Sequence, residues 1–161
     1  MRTSRITLFG RALAFLAVVG LLLFPASSAF AAGADTFTQP FHNVTESFPT
    51  PNPCTGAPGT VTITYNGVFH TTTLPNGNSH FTVTQTGDFV FVPDDSSLPT
   101  FTGHFTFWAG FNSNNKNAAS TFTFTVHGTG SDGSVLKFHV TEHFSVSASG
   151  VVIMFSKPRC A

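Results

Sequence analysis

Three polar side chains on consecutive predicted strands could together perform acid–base chemistry. If the turns joining these strands are symmetric, Asp88 lies beside His104, and His104 lies opposite His127. A carboxylate beside an imidazole fixes the tautomer of the ring and raises its basicity, which a general base or a metal ligand can use. The alternative is an ordinary polar row on the outer face of a sheet. Asp88 and His104 are therefore catalytic candidates, and His127 is a ligand-binding candidate.

Glu142 is a third catalytic candidate, because it occupies an apolar-parity position between Val140 and Phe144. A carboxylate buried in a pocket could act as an acid or a base. The alternative is that Glu142 lies near the mouth of a barrel or at a bulge and is hydrated. His70 and Trp108 are the other candidates for ligand binding.

The seven histidines invite a metal hypothesis, which strand geometry tests. His139 and His143 are four residues apart, a separation of about 13 Å along a strand, so they cannot share one ion. The chain also lacks the sequence motifs of nucleotide-binding loops, zinc proteases and serine hydrolases. We therefore predict no metal site and no cofactor.

The N-terminus has the organisation of a secretory signal peptide. Three arginines within residues 1–11 precede a continuous apolar stretch at 12–24, and Ala29 and Ala31 provide the small residues that a signal peptidase needs. The 13 apolar residues would form a helix of roughly 20 Å, which is short for a hydrocarbon core of ~30 Å. We expect cleavage after Ala31 and a secreted, extracellular protein.

Cleavage would change the charge of the chain. Residues 1–31 contain three of the seven basic residues and none of the seven acidic ones, which leaves a formal charge of −3. A mildly acidic domain is not expected to bind nucleic acid. No later segment is long and apolar enough to span a membrane, and no polybasic segment suggests a membrane surface. Residues 32–161 are predicted to form a single domain.

The two cysteines are predicted to form a disulfide. Cys54 and Cys160 both remain after cleavage, in a compartment that is expected to be oxidising. A metal or redox pair is the alternative, but their spacing fits neither a zinc site nor a CxxC motif.

Alternation of apolar and polar residues predicts β-structure throughout. Turn residues separate the alternating segments. The Asn66-Gly67 step is either a two-residue hairpin turn or a bulge within one long strand, and we favour the bulge. The predicted strands lie at 60–74, 79–92, 100–111, 120–128, 135–147 and 151–157, with one or two more within 35–48.

Seven or eight such strands must bury their phenylalanine-rich faces away from water. A single antiparallel up-and-down β-barrel would do so and would also remove the sheet edges, and a two-sheet β-sandwich is the alternative. A disulfide between Cys54 and Cys160 would then fasten the seam of the barrel.

The segment Asn52-Pro53-Cys54-Thr55-Gly56, followed by a threonine-rich strand with His70 and a turn leading to His80, resembles a group of small exported bacterial proteins of no assigned activity. The resemblance extends loosely over residues 38–161. It implies export and a β-fold rather than a reaction.

Three classes of function are compatible with these features. The first is a non-catalytic exported module that binds a small apolar ligand or an extracellular protein partner. The second is a structural or surface-interaction protein of the cell envelope or matrix. The third is a small secreted barrel enzyme of the isomerase or cyclase type, which would use Glu142 or the Asp88–His104 pair.

Asn43-Val44-Thr45 also matches the pattern for N-glycosylation.

Overall fold

The computed structural model describes residues 33–161, and the predicted signal peptide with its cleavage site lies outside them. The described chain is all-β and forms one antiparallel sheet in which each strand pairs with its neighbours in sequence. This confirms the predicted antiparallel meander, in one sheet rather than two. The strands are β1 (Asp35–Pro51), β2 (Pro58–Thr73), β3 (Ser79–Pro93), β4 (Phe101–Ser113), β5 (Ala118–Gly130), β6 (Val135–Val146) and β7 (Val152–Cys160).

The sheet is strongly curled. Five strand spacings of about 4.8 Å separate β2 from β7, so in a flat sheet these strands would be roughly 24 Å apart. Cys54, in the loop before β2, is nevertheless bonded to Cys160 at the end of β7, with their Cα atoms 5.7 Å apart. The sheet therefore bends until its two ends approach each other.

The two edges of the curled sheet are β1 and β7. The described strands pair only in the order β1 to β7, with no ladder between the first and the last. The predicted closure into a barrel thus remains a prediction. No helix within residues 33–161 has the length and apolarity that a membrane crossing requires.

The predicted disulfide is present, and the Asn52–Gly56 segment holds Cys54 in place. The Asn52 side-chain oxygen accepts hydrogen bonds from the backbone N–H groups of Cys54 (2.9 Å) and Thr55 (3.1 Å). Gly56 adopts a φ of 76°, a left-handed conformation that favours glycine. Asn52 is only 3 % exposed. The local sequence therefore has a structural role, which is to present Cys54 to the end of β7.

Aromatic rings pack across the apolar face of the sheet. Tyr65 on β2 and Phe105 on β4 are both paired in register with Gly87 on β3. Because Gly87 has no side chain, the two rings meet above it, with centroids 6.2 Å apart. Phe124 continues the series, 6.0 Å from Phe105. The buried core around these rings is Tyr65, Phe89, Phe91, Phe101, Phe105, Val126 and Leu136.

Asn66-Gly67 lies within one long strand, as predicted, and does not form a hairpin turn, but the bulge expected there is wrong. β2 pairs with β3 without interruption through both residues. The extra residue lies instead on β1, where the register shifts between Phe41 and Val44. Asn43 in this bulge has a φ of 52°, and its backbone N–H donates to the Asn66 side chain over 2.9 Å. Asparagine tolerates this left-handed conformation better than most residues do.

Candidate functional site

One end of the apolar face is partly open to solvent. One register row crosses all seven strands at this end of the sheet, and we call it the Phe37–Met154 row. It runs through Phe37, Thr71, Phe81, Phe111, Ser120, Phe144 and Met154. Phe111 follows the core residue Phe105 by six positions along β4, a distance of about 20 Å. The row thus lies at the opposite end of the face from Phe105, and the buried residues Val83 and Ala109 occupy the neighbouring row.

The two ends of the apolar face contain similar residues but differ in burial. Phe105 in the core is 4 % exposed, whereas Phe144 is 39 % and Met154 is 59 % exposed. Phe37 and Phe111 in the same row are also exposed. Contiguous apolar residues left in water are typical of a surface that binds something. The Phe37–Met154 row is therefore the candidate binding surface.

Glu142 lies one row deeper than this surface. It pairs in register with Phe122 on one side and Ser156 on the other, which confirms its predicted place on the apolar face. The carboxylate is half-buried and accepts a hydrogen bond of 2.8 Å from the Ser156 hydroxyl. A polar pair beside an apolar surface can orient a ligand by its polar group.

A second carboxylate, Glu46, also lies on the apolar face. It pairs in register with Ile63 and accepts a hydrogen bond of 3.1 Å from the Tyr65 hydroxyl. Sequence reasoning missed this pair, because the β1 bulge changes the parity of the strand between Phe41 and Val44. The available signal was the alternation of Val44, Glu46 and Phe48, which is regular after the bulge.

Burial raises the pKa of Tyr65 to about 12, and the neighbouring Glu46 carboxylate adds to the shift through its charge and hydrogen bond. The usual value is 10.0. Because the native pKa is the higher one, the neutral hydroxyl stabilises the fold below pH ~10. This stabilisation is lost as the pH rises from about 10 to about 12.

Tyr65 is the only tyrosine in the chain, so its ionisation can be followed directly by ultraviolet absorbance. We expect a native midpoint near 12, and a lower midpoint in Glu46→Gln that stays above 10 because burial persists. Glu142→Gln is the matched control, since it removes a carboxylate from the same face. Equal shifts in the two variants would contradict a local effect of Glu46.

The predicted polar row on the opposite face is confirmed. Asp88 pairs with His104, and His104 pairs with His127. The His104 Nδ1 atom contacts an Asp88 carboxylate oxygen directly. The side chains of His104 and Asp88 are 83 % and 71 % exposed, so bulk water surrounds the pair. His104, His127 and Lys137 line an open depression of about 380 Å³.

The remaining ligand-binding candidates are spread over the same polar face. His70 accepts or donates hydrogen bonds at both ring nitrogens, to Thr38 over 2.7 Å and to Thr72 over 3.3 Å. Trp108 pairs in register with Thr84 and Thr123 and is 40 % exposed. Neither residue joins the Asp88 row or reaches the apolar face.

The two histidines of β6 also bond to hydroxyl groups. His143 bonds to Thr121 over 2.8 Å and His139 to Thr125 over 2.9 Å. These pairs lie on one polar face as separate cross-strand contacts. Within residues 33–161, no three side chains of histidine, cysteine, aspartate or glutamate are placed to hold a metal ion.

Comparison of the chain with protein-family models, with curated proteins and with solved structures finds no match.

Proposed function

We propose that this chain is an exported, non-catalytic module that binds a small apolar molecule on the open end of its apolar face. The exposure of the Phe37–Met154 row carries the proposal. Phe144 and Met154 are neighbours across β6 and β7, and a ligand that covered both would remove apolar surface from water.

We further propose that the curled sheet acts as a barrel whose seam lies between β1 and β7. The Cys54–Cys160 bond supports this interpretation, because it ties the loop at one edge to the last residue of the other. The ligand would then sit at the open end of the barrel, opposite the packed core.

The polar pair beside the surface suggests the class of ligand. The Glu142 carboxylate accepts hydrogen bonds, and Ser156 already donates one to it. An apolar molecule that carries an amine or a hydroxyl group could place that group beside Glu142 and its tail along the Phe37–Met154 row.

Binding of Nile red, a neutral apolar dye, tests the surface. We expect saturable fluorescence enhancement, and affinity at least about tenfold weaker in Phe144→Ser, because the lost aromatic ring contributes more than ~1.4 kcal/mol when covered. Trp108→Ser is the matched control, since Trp108 is an aromatic residue of similar exposure, 40 % against 39 %, on the polar face.

Dodecylamine, tested as a competitor of the dye, addresses the role of Glu142. Glu142→Gln should weaken competition by dodecylamine about tenfold and leave Nile red binding unchanged. Absence of saturable dye binding, or an equal loss in Phe144→Ser and Trp108→Ser, would refute the proposed site.

A further inference from the structure

The first half of β7 is apolar on both faces of the sheet. Val152 and Met154 lie on the apolar face, and Ile153 and Phe155 lie on the face that is otherwise rich in threonine. With Val151, these residues form an apolar segment, 151–155, in which every member is between 40 % and 59 % exposed. An exposed apolar edge strand is a template for pairing with another strand.

The other edge strand, β1, and the second half of β7 contain features that oppose such pairing. β1 contains three prolines and the bulge between Phe41 and Val44, which interrupt the ladder that an added strand would need. The second half of β7 contains Lys157, Pro158 and Arg159, which oppose strand addition by charge and by a missing N–H group. Segment 151–155 contains no proline, no charged residue and no bulge.

The backbone of this segment has N–H and C=O groups that face outward, where an added strand could bond to them. At one end of β7, the Ala161 N–H donates to the Lys137 carbonyl on β6, and at the other end the Ser147 N–H donates to the Val151 carbonyl. Odd-numbered residues therefore bond to β6, because hydrogen-bonded and non-hydrogen-bonded pairs alternate. The N–H and C=O groups of Val152 and Met154 face away from the sheet.

We propose that β7 pairs antiparallel with β7 of a second copy of this chain, about a two-fold axis at Ile153. Val152 of each copy then lies opposite Met154 of the other, and their outward backbone groups exchange hydrogen bonds. Val151 of each copy lies opposite Phe155 of the other. All five residues of segment 151–155 thus face apolar residues on both sides of the joined sheet.

The positions of the charged residues favour a second copy over an unrelated strand. In this register Lys157 and Arg159 lie opposite the serine-containing turn at 147–150 of the other copy, so like charges do not face each other. The same sequence can therefore form both sides of a symmetric interface, because its apolar residues meet each other and its charged residues do not.

Sedimentation velocity of the protein, with its Cys54–Cys160 bond formed, tests the interface. We expect a dimer. Its dissociation constant should be at least about 100-fold higher in Ile153→Lys, because this substitution places two lysines directly opposite each other. Val135→Lys is the matched control, because Val135 is 61 % exposed and precedes the part of β6 that pairs with β7. It should leave the dimer intact.

Cross-linking tests the register. Ile153→Cys should give an intermolecular disulfide under mild oxidation, because Cα atoms of a directly opposite, non-hydrogen-bonded pair lie ~4.5 Å apart. Phe155→Cys should not, because the two copies of residue 155 are offset by about 13 Å. A protein that stays monomeric at about millimolar concentration, a dimer that survives Ile153→Lys, or equal cross-linking of the two cysteine variants would each overturn the proposal.

Discussion

Replacing both cysteines, as Cys54→Ser with Cys160→Ser, is expected to lower the free energy of unfolding by about 4–5 kcal/mol. The bond links residues 106 positions apart, so its removal restores a large conformational freedom to the unfolded chain. It also releases the loop before β2 from the end of β7. Urea denaturation followed by circular dichroism measures the change.

Thr55→Ala is the control for this experiment. It alters an exposed residue next to Cys54 and leaves the disulfide in place, so it should change stability by less than about 1 kcal/mol. A double serine variant as stable as Thr55→Ala would show that the sheet holds its curl without the bond.

Phe105→Ala is expected to destabilise the fold by about 3–5 kcal/mol. Its ring is 4 % exposed and contacts both Tyr65 and Phe124, so truncation leaves a cavity at the centre of the aromatic series. Gly87 cannot fill that cavity, because it has no side chain to move into it. Urea unfolding, with an unchanged m-value, measures the loss.

Phe144→Ala is the matched control for Phe105→Ala. It makes the same substitution on the same face of the sheet, but at a ring that is 39 % exposed. We expect a smaller loss, of about 1–2 kcal/mol, because part of this ring stays in water on folding and solvent can enter the space that truncation leaves. Equal losses would mean that the apolar face is packed uniformly, which would also remove the basis of the proposed ligand site.

Local sequence predicts the register of the central strands well. The connections after β3, β4 and β5 are short and rich in turn residues, and such connections fix which residues lie opposite each other. The row of Asp88, His104 and His127 could therefore be predicted residue by residue. The exposure of these side chains could not be predicted, because alternation assigns residues to a face of the sheet without showing whether other parts of the chain cover that face.

The first strand and the closure of the sheet are harder to predict. On β1 the bulge near Asn43 changes the parity of the strand, so Glu46 could not be assigned to the apolar face from alternation over the whole segment.

The exposure of one end of the apolar face could not be predicted for a different reason. Phe105 and Phe144 have the same residue type and lie on the same face of the sheet, and alternation does not show which of them the three-dimensional fold covers. Alternation is also identical in an open curled sheet and in a closed barrel.

A meander with an odd number of strands has edges that run in the same direction. β1 and β7 are therefore parallel in this seven-stranded sheet, and joining them directly would require a parallel ladder in a fold whose other ladders are all antiparallel. The antiparallel pattern therefore cannot continue across the seam, and the Cys54–Cys160 bond provides a covalent link between the two edges where that pattern ends.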